Sequence, residues 1–118
     1  MDYILILGAK SDISKAIALG ADAVGLSTGP MIGIGCQQYR VCHKGTCPVG
    51  IATQDPNLVK RFDIEKSAAM LTNLFNVYKE EISDFVRILG KKDIHKMNTN
   101  DLATLSNNLS QNTSIRHV

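Results

Sequence analysis

Three cysteines near the middle of the sequence are the residues best suited to chemistry. Cys36, Cys42 and Cys47 are separated by five and then by four residues, and glycines and a proline lie among and after them. Thiolates bind soft metal ions and iron–sulfur clusters, and Gly and Pro favour a backbone that wraps around such a site over a continuous helix. Because a four-iron cluster normally takes four cysteines, three cysteines fit better with a three-iron cluster or a cubane with one open iron.

Other uses of the three thiols were weighed against this one. Zinc would need His43 as a fourth ligand, but the spacing is not that of a usual zinc knuckle, and the side chains of Cys42 and His43 diverge because they are neighbours. A catalytic thiol is a second alternative, although the sequence has no CxxC motif and no evident acid–base partner. The third alternative is that the cysteines are small buried residues without a ligand.

Composition limits the class of protein. The chain has 118 residues with 44% hydrophobic and 20% charged residues, which is enough for one domain with a modest, aliphatic core. The net charge of +2, with no basic run, argues against a nucleic-acid partner. No apolar stretch reaches the roughly 18 residues of a membrane span, and no signal peptide is recognisable. We therefore predict a cytoplasmic protein whose cysteines are reduced and do not form disulfides.

The region before the cysteines, residues 1–35, has the pattern of a βαβ unit. A buried strand is predicted at Tyr3–Leu7, a helix at Asp12–Leu19 with Ser11 as its N-cap, and a second strand at Ala23–Leu26. Gly20 is placed to end the helix in the left-handed conformation. Strand, helix and strand in so short a segment predict two parallel strands joined by a crossover.

The turn after the second predicted strand has the composition of an anion-binding turn. Ser27 and Thr28 open the glycine-rich stretch STGPMIGIG, which leads towards a helix. Backbone N–H groups at such a turn can face a phosphate, although the spacing is neither GxGxxG nor a Walker loop.

The region after the cysteine loop (36–55), residues 56–118, is predicted to be helical. Asp55 and Pro56 predict a helix start, and Asp63 is the predicted N-cap of the next helix. Three helices are expected, at Asn57–Phe62, Ile64–Leu89 and Thr99–Leu109; Gly90 is expected to end the second, and the tail from Gln111 to Val118 is expected to fray.

The cysteine segment also resembles a known family. GCQQYRVCHKGTCPVGIATQDP is similar to the iron–sulfur segment of the glutamate synthase large subunit, and CHKGTCPVGIATQDP follows the family pattern C-H-x-x-T-C-P-V-G-I-A-T-Q-D-P nearly position by position. The preceding DISKAIALGADAVGLSTGPMIGIGC also matches, and LGKKDIHKMNTNDLATLS resembles the end of the archaeal-type version. The resemblance covers the chain from about Asp12 onwards.

The resemblance implies a ligand set and a fold. Cys36, Cys42 and Cys47 would hold a [3Fe–4S] cluster. The fold class would be α/β, a partial (β/α)8 (TIM-barrel) fragment made of the last βαβ unit, the cysteine loop and C-terminal helices. Since a complete barrel takes about 250 residues, we expect the first six strands to lie outside this chain.

The resemblance also implies a flavin site and an electron path. Ser27 and Thr28 would lie where the phosphate of FMN is held, and Gly8 would follow the seventh barrel strand. Electrons from a ferredoxin or an NAD(P)H-dependent subunit would reach FMN through the cluster, and the reduced flavin would reduce 2-iminoglutarate, formed from 2-oxoglutarate and ammonia, to L-glutamate.

A partial barrel has consequences for the isolated chain. We expect it to be inactive alone as an oxidoreductase acting on CH–NH2 groups, and to need either the rest of the barrel as a separate chain or self-association to cover its open edges. A stand-alone iron–sulfur electron carrier and a cofactor-free helical interaction fragment are the alternatives.

Overall fold

The computed structural model describes residues 3–5 and 10–118 and divides the chain into two compact units. The first unit comprises residues 1–26 and 78–118, and the second comprises residues 27–77.

The N-terminal part of the first unit forms a βαβ crossover. Strand β1 (Tyr3–Leu5), helix α1 (Lys10–Ala18) and strand β2 (Ala23–Gly25) follow one another, and the strands pair in parallel with Tyr3 beside Ala23. The predicted crossover is confirmed. The end of the predicted first strand, at residues 6 and 7, lies outside the described residues.

Of the two predicted ends of α1, the C-terminal one is confirmed and the N-terminal one is wrong. Gly20 has φ of +103°, the N–H of Ala21 donates to the carbonyl of Ala16 at 3.0 Å, and the N–H of Gly20 donates to Ile17 at 2.9 Å. These two bonds form the Schellman motif, so the predicted helix stop is confirmed. The predicted N-cap is wrong, because α1 already begins at Lys10 and Ser11 lies inside its first turn.

The core of the first unit is small and aliphatic. One cluster contains Ala16, Ile17 and Ala21, and a second contains Ala18, Val86 and Met97. Ile94 packs against both, so it joins α1 to the residues that follow the long helix.

The long helix α4 (Ile64–Ile88) begins in the second unit and ends in the first. Asp63 caps its start by accepting the N–H of Lys66 at 3.0 Å. Gly90, with φ of +68°, ends it in a second Schellman motif, in which Lys91 N–H donates to Val86 at 2.9 Å. The predicted long helix and both of its end signals are confirmed, with the helix one residue shorter than predicted.

The C-terminal region differs from the prediction of one helix followed by a frayed tail. It contains 3-10 turns at Ile94–Lys96 and Thr99–Asp101, strand β3 (Ala103–Thr104), helix α5 (Asn107–Asn112) and strand β4 (Arg116–His117), which pairs in parallel with β3. The predicted helix Thr99–Leu109 is therefore wrong, and so is the frayed tail.

Local capping explains why this region breaks into short pieces. Asn98 and Asp101 form a reciprocal capping box around the turn at Thr99–Asp101, and Ser106 accepts the N–H of Leu109 at 3.3 Å to start a separate helix. Two successive caps leave too few residues between them for one continuous helix.

The second unit holds the cysteine loop between short helices. Helix α2 (Thr28–Gly33) precedes the loop and helix α3 (Pro56–Val59) follows it. Asp55 caps α3 by accepting the N–H of Asn57 at 2.8 Å, with Pro56 at the first helical position as predicted. Helix α3 is shorter than the predicted Asn57–Phe62. Within residues 3–5 and 10–118, no helix is both long and apolar enough to cross a membrane.

Candidate metal centre

Cys36 is placed by the end of helix α2. The N–H of Cys36 donates to Met31 at 3.0 Å and that of Gly35 donates to Ile32 at 2.9 Å, while Gly35 adopts φ of +100°. Cys36 is therefore the last residue of a Schellman motif whose left-handed residue is Gly35. Ser67 on α4 donates its hydroxyl to the carbonyl of Ile34 at 3.1 Å, which fixes this helix end from the other side.

Cys42 opens a tight turn on the surface. It is the first residue of the 3-10 turn Cys42–Lys44, which ends at Gly45 with φ of +65°. The N–H of Gly45 donates to the carbonyl of Cys42 at 3.1 Å. The Cys42 side chain is exposed, so it can bind a metal without rearrangement of a core.

Cys47 differs from the other two because it is 7% exposed. An antiparallel bridge joins Thr46 to Thr53 and closes a short loop around it. Within this loop, Gly50 has φ of +87° and its N–H donates to the carbonyl of Cys47 at 3.1 Å. Arg61 donates to the carbonyl of Pro48 at 3.3 Å and holds the loop from outside.

The backbone around Cys47 stabilises its thiolate. The amide of Ala52 makes the largest contribution to lowering the pKa of Cys47, burial opposes it, and the amides of Ile51, Val49 and Gly50 lower the pKa further. We call these four N–H groups the amide cradle. Hydrogen bonds to a charged form favour that form, and the thiolate is the form that binds metals.

Cys36 also accepts a backbone N–H. The donor is Gln38, at 3.5 Å from the Cys36 sulfur. Gln38 has φ of +56° and Arg40 has φ of +59°, so two residues other than glycine adopt left-handed conformations between the first two cysteines. Such conformations are uncommon for these residue types, and they give the loop the sharp bends that the sequence was expected to obtain from glycine.

Cys36 and Cys42 line one cavity of about 180 Å³. Met31 and Ile32 supply an apolar part of its wall. The polar part of the wall consists of Ser27, Thr28, Gln38 and Arg40. The structure therefore brings the two residues predicted to bind phosphate together with two of the three predicted cluster ligands.

The third thiol stands apart from this arrangement. Cys47 is not among the described residues that line the cavity. In the described part of the chain, no group of three His, Cys, Asp or Glu side chains is arranged as a metal-binding set. Gly8, the other predicted flavin contact, lies outside the described residues.

The chemistry of the donors fits an iron–sulfur cluster. The three predicted ligands are free cysteines, the Cys36 sulfur accepts a backbone N–H, and backbone amides lower the pKa of Cys47. Hydrogen bonds to the ligand sulfurs are one of the means by which proteins set the reduction potential of such clusters. His43, the fourth ligand of the zinc alternative, lies in an exposed turn next to Cys42 and does not line the cavity.

Sequence reasoning missed two residues of the site, Gln38 and Arg40. Neither residue type favours a left-handed backbone, so propensity gives no signal at these positions. The one available clue was their place between two ligands in a loop that has no glycine from residue 36 to residue 44.

Comparison with known proteins places most of the chain in one family. The model of the conserved region in glutamate synthase matches residues 6–92. An archaeal glutamate synthase [NADPH] of Methanocaldococcus jannaschii is 42% identical over 91 residues, which are 77% of this chain and 18% of that protein. No solved structure matches the chain.

Relatives from other kingdoms show the same local match. A glutamate synthase [NADH] of Schizosaccharomyces pombe is 43% identical over 86 residues, 73% of this chain and 4% of that protein. A glutamate synthase large subunit-like protein of Rhizobium meliloti is 34% identical over 112 residues, 81% of this chain and 25% of that protein. The chain thus spans a quarter or less of the length of each of these relatives.

Proposed function

Because this chain belongs to the family defined by the conserved region in glutamate synthase, we propose that it supplies the thiolate ligands of a [3Fe–4S] cluster in a glutamate synthase-related oxidoreductase. Cys36, Cys42 and Cys47 are the proposed ligands. The observation that carries the proposal is that two of these cysteines, Cys36 and Cys42, line one cavity.

Each residue of the site has a role in this proposal. Cys47 would be the buried ligand, and the backbone amides that lower its pKa favour the thiolate form that binds iron. Cys36 and Cys42, which line the cavity, would supply the other two thiolates. Ser27 and Thr28, and by the family resemblance Gly8, would hold the phosphate of FMN once the rest of the barrel is present.

When bound, a cluster of this kind carries single electrons, here from a reductant to FMN for the reductive formation of L-glutamate from 2-oxoglutarate and an amino group. The relatives named with NADPH make an NADPH-dependent subunit a candidate donor, and a ferredoxin is the other. A cytoplasmic location follows from the need to keep three ligand thiols reduced.

The exposed apolar surface of α4 points to a partner. Met70, Val77 and Ile88 fall on one side of the helix, and all are exposed, with Ile88 at 80%. Exposed apolar side chains that share one helix face can form a patch of the kind that marks a protein–protein interface. We propose that another chain carrying the rest of a (β/α)8 barrel, or a second copy of this chain, covers them. Sedimentation of the chain alone and with the barrel chain would measure this association.

Anaerobic reconstitution tests the ligand assignment. The purified chain is incubated with iron and sulfide, and its iron, sulfide and flavin contents and the EPR spectrum of the oxidised form are measured. We expect the wild type to bind three irons per chain and to show the EPR signal of an oxidised [3Fe–4S] cluster. We expect both to be lost in Cys36→Ser, Cys42→Ser and Cys47→Ser. Thr46→Ser, next to Cys47 and exposed, is the matched control and should load normally. A wild-type chain that stays colourless would contradict the proposal.

A cofactor-free interaction module is the second candidate. It is favoured because no three ligand side chains of the described residues are arranged to bind a metal ion. Under this hypothesis the three Cys→Ser variants would bind the partner chain as well as the wild type does. Under the cluster hypothesis, activity of the reconstituted complex would depend on all three cysteines, which also separates it from a stand-alone electron carrier.

A further inference from the structure

We propose that Cys36 and Cys42 form a disulfide with each other when the chain carries no cluster. The bond would act as a redox switch, because it occupies two of the three proposed ligands and keeps iron out until it is reduced. That consequence for iron rests on the proposed function, whereas the bond itself does not require a cluster to bind.

One cavity brings these two cysteines together. Cys36 and Cys42 both line the cavity of about 180 Å³, which has room for roughly six water molecules. Both are free cysteines; Cys42 is exposed and Cys36 is partly exposed, so an oxidant in solution can reach the pair. Two accessible thiols on the wall of one small cavity are placed to react with each other.

The segment between the two cysteines can adjust to such a bond. Residues 37–41 form neither helix nor strand, and residues 37–40 are exposed. Gln38 and Arg40 both have positive φ, which bends the segment sharply. Because these side chains are not packed in a core, a small backbone shift can bring the two Cα atoms to the roughly 4.4–6.8 Å that a disulfide requires.

The surroundings of Cys47 keep it out of the pair. Cys47 is nearer to Cys42 in the sequence than Cys36 is, and the entropies of closing the two loops differ little. However, Cys47 is 7% exposed, and it is not among the described residues that line the cavity. The bridge between Thr46 and Thr53 closes the loop around it, so a bond to Cys47 would require this loop to open. The fold therefore selects a pair that spacing alone would not.

The chemistry consists of two thiol–disulfide exchanges with a small disulfide such as oxidised glutathione. The exposed Cys42 thiolate attacks one sulfur of the oxidant, which forms a mixed disulfide and releases one thiol. The Cys36 thiolate then attacks the Cys42 sulfur, which closes the protein disulfide and releases the second thiol. The two cysteines lose two electrons and two protons in total, and the oxidant gains them as two thiols.

The test is oxidation of the cluster-free full chain with oxidised glutathione, followed by mass spectrometry of the intact protein and of an unreduced tryptic digest. Trypsin cleaves after Arg40 and after Lys44, so each cysteine falls in a peptide of its own and the linked pair can be identified directly. We expect a monomer lighter by two hydrogen atoms, with Cys36 linked to Cys42 and Cys47 still a free thiol.

Single substitutions identify the role of each thiol. Cys47→Ser is the matched control and should form the same bond as the wild type. Cys36→Ser should stop at a mixed disulfide on Cys42, because the thiol that completes the exchange is missing. In a separate reconstitution, the oxidised wild type should take up no iron and sulfide until a thiol reductant restores both cysteines.

The outcomes separate this inference from the proposed function. A bond that includes Cys47, a bond between two chains, a chain that stops at mixed disulfides or one that keeps three free thiols would each overturn the disulfide. If the oxidised chain loads as much cluster as the reduced chain, the switch is overturned. If the bond forms but the reduced wild type binds no iron and sulfide, the proposed function fails while the disulfide stands.

Discussion

Gly50 lies against the backbone of Leu58, so close that a Cβ on Gly50 would overlap the Leu58 carbonyl oxygen. The same Cβ would lie 3.1 Å from the backbone nitrogen of Phe62. The turn that carries the amide cradle is thus pressed onto helix α3 at a point where no side chain fits. Position 50 must be glycine both for its left-handed backbone and for the space available.

Gly50→Ala should therefore destabilise the chain strongly. Gly45→Ala is the matched control: Gly45 also has a positive φ, but a Cβ there meets nothing within 4 Å. We expect Gly45→Ala to cost about 1 kcal/mol of unfolding free energy from backbone strain alone. Gly50→Ala should cost about 2 kcal/mol more because neither backbone neighbour can move aside easily. Urea unfolding of both variants measures the difference, and equal losses would contradict the close approach.

Ser67→Ala should destabilise the second unit. Ser67 is 7% exposed, and its hydroxyl satisfies the carbonyl of Ile34 at the end of α2. Removing the donor leaves a partly buried carbonyl unpaired, at a cost of about 1 kcal/mol. Chemical denaturation should show this loss, and cluster content should fall as well because Ile34 lies two residues before Cys36. Ser83→Ala removes a hydroxyl that bonds only within helix α4, to Lys79 at 2.8 Å, and serves as the control with a smaller effect.

Ser14→Ala should have the opposite sign. Ser14 is 3% exposed, and its buried Oγ has no hydrogen-bond partner among the described residues. A buried hydroxyl without a partner costs roughly 1 kcal/mol or more, whereas alanine fits the same space and is the better helix former. The thermal midpoint of Ser14→Ala should rise by several degrees. A lower midpoint would show that the hydroxyl has a partner after all.

Acid should weaken the first unit through one carboxylate. Lys91 lies 2.9 Å from Asp101, with both side chains mostly shielded, and this hydrogen bond, together with the N–H of Asn98, lowers the pKa of Asp101 below its ordinary 3.8. The stabilisation from a carboxylate with a lowered pKa is complete above the ordinary value and disappears as the pH falls through the folded-state pKa. The wild type should therefore be more stable than Asp101→Asn at neutral pH, with the gap closing below about pH 4.

Asp84→Asn provides the comparison for this pH series. Asp84 pairs with Arg87 at 2.8 Å, but both side chains are at least 60% exposed, and such surface pairs contribute little. Its unfolding curve should stay near that of the wild type at neutral pH. If Asp84→Asn and Asp101→Asn behave alike across the series, shielding of the Lys91–Asp101 pair has no energetic consequence.

The elements that sequence predicted correctly are those set by local signals. Gly20 and Gly90 end their helices, and Asp55 and Asp63 begin theirs, because each makes its bonds within a few residues along the chain. The C-terminal helix was mispredicted because leucines at helical spacing are a weaker signal than the caps that interrupt them.

Much of the candidate site could not be predicted from local sequence signals. The three cysteines are evident from their spacing, but the burial of Cys47 depends on the bridge between Thr46 and Thr53. The need for glycine at position 50 depends on helix α3, which comes later in the chain. The left-handed backbones of Gln38 and Arg40 run against the preferences of both residues, so only the folded loop reveals them.

The bridge between Thr46 and Thr53 also has a consequence for timing. It joins residues so near in sequence that the loop around Cys47 can close within about 10–100 ns, far faster than contacts between distant segments form. The loop around Cys47 is therefore expected to form early in folding, before helix α3 packs against Gly50.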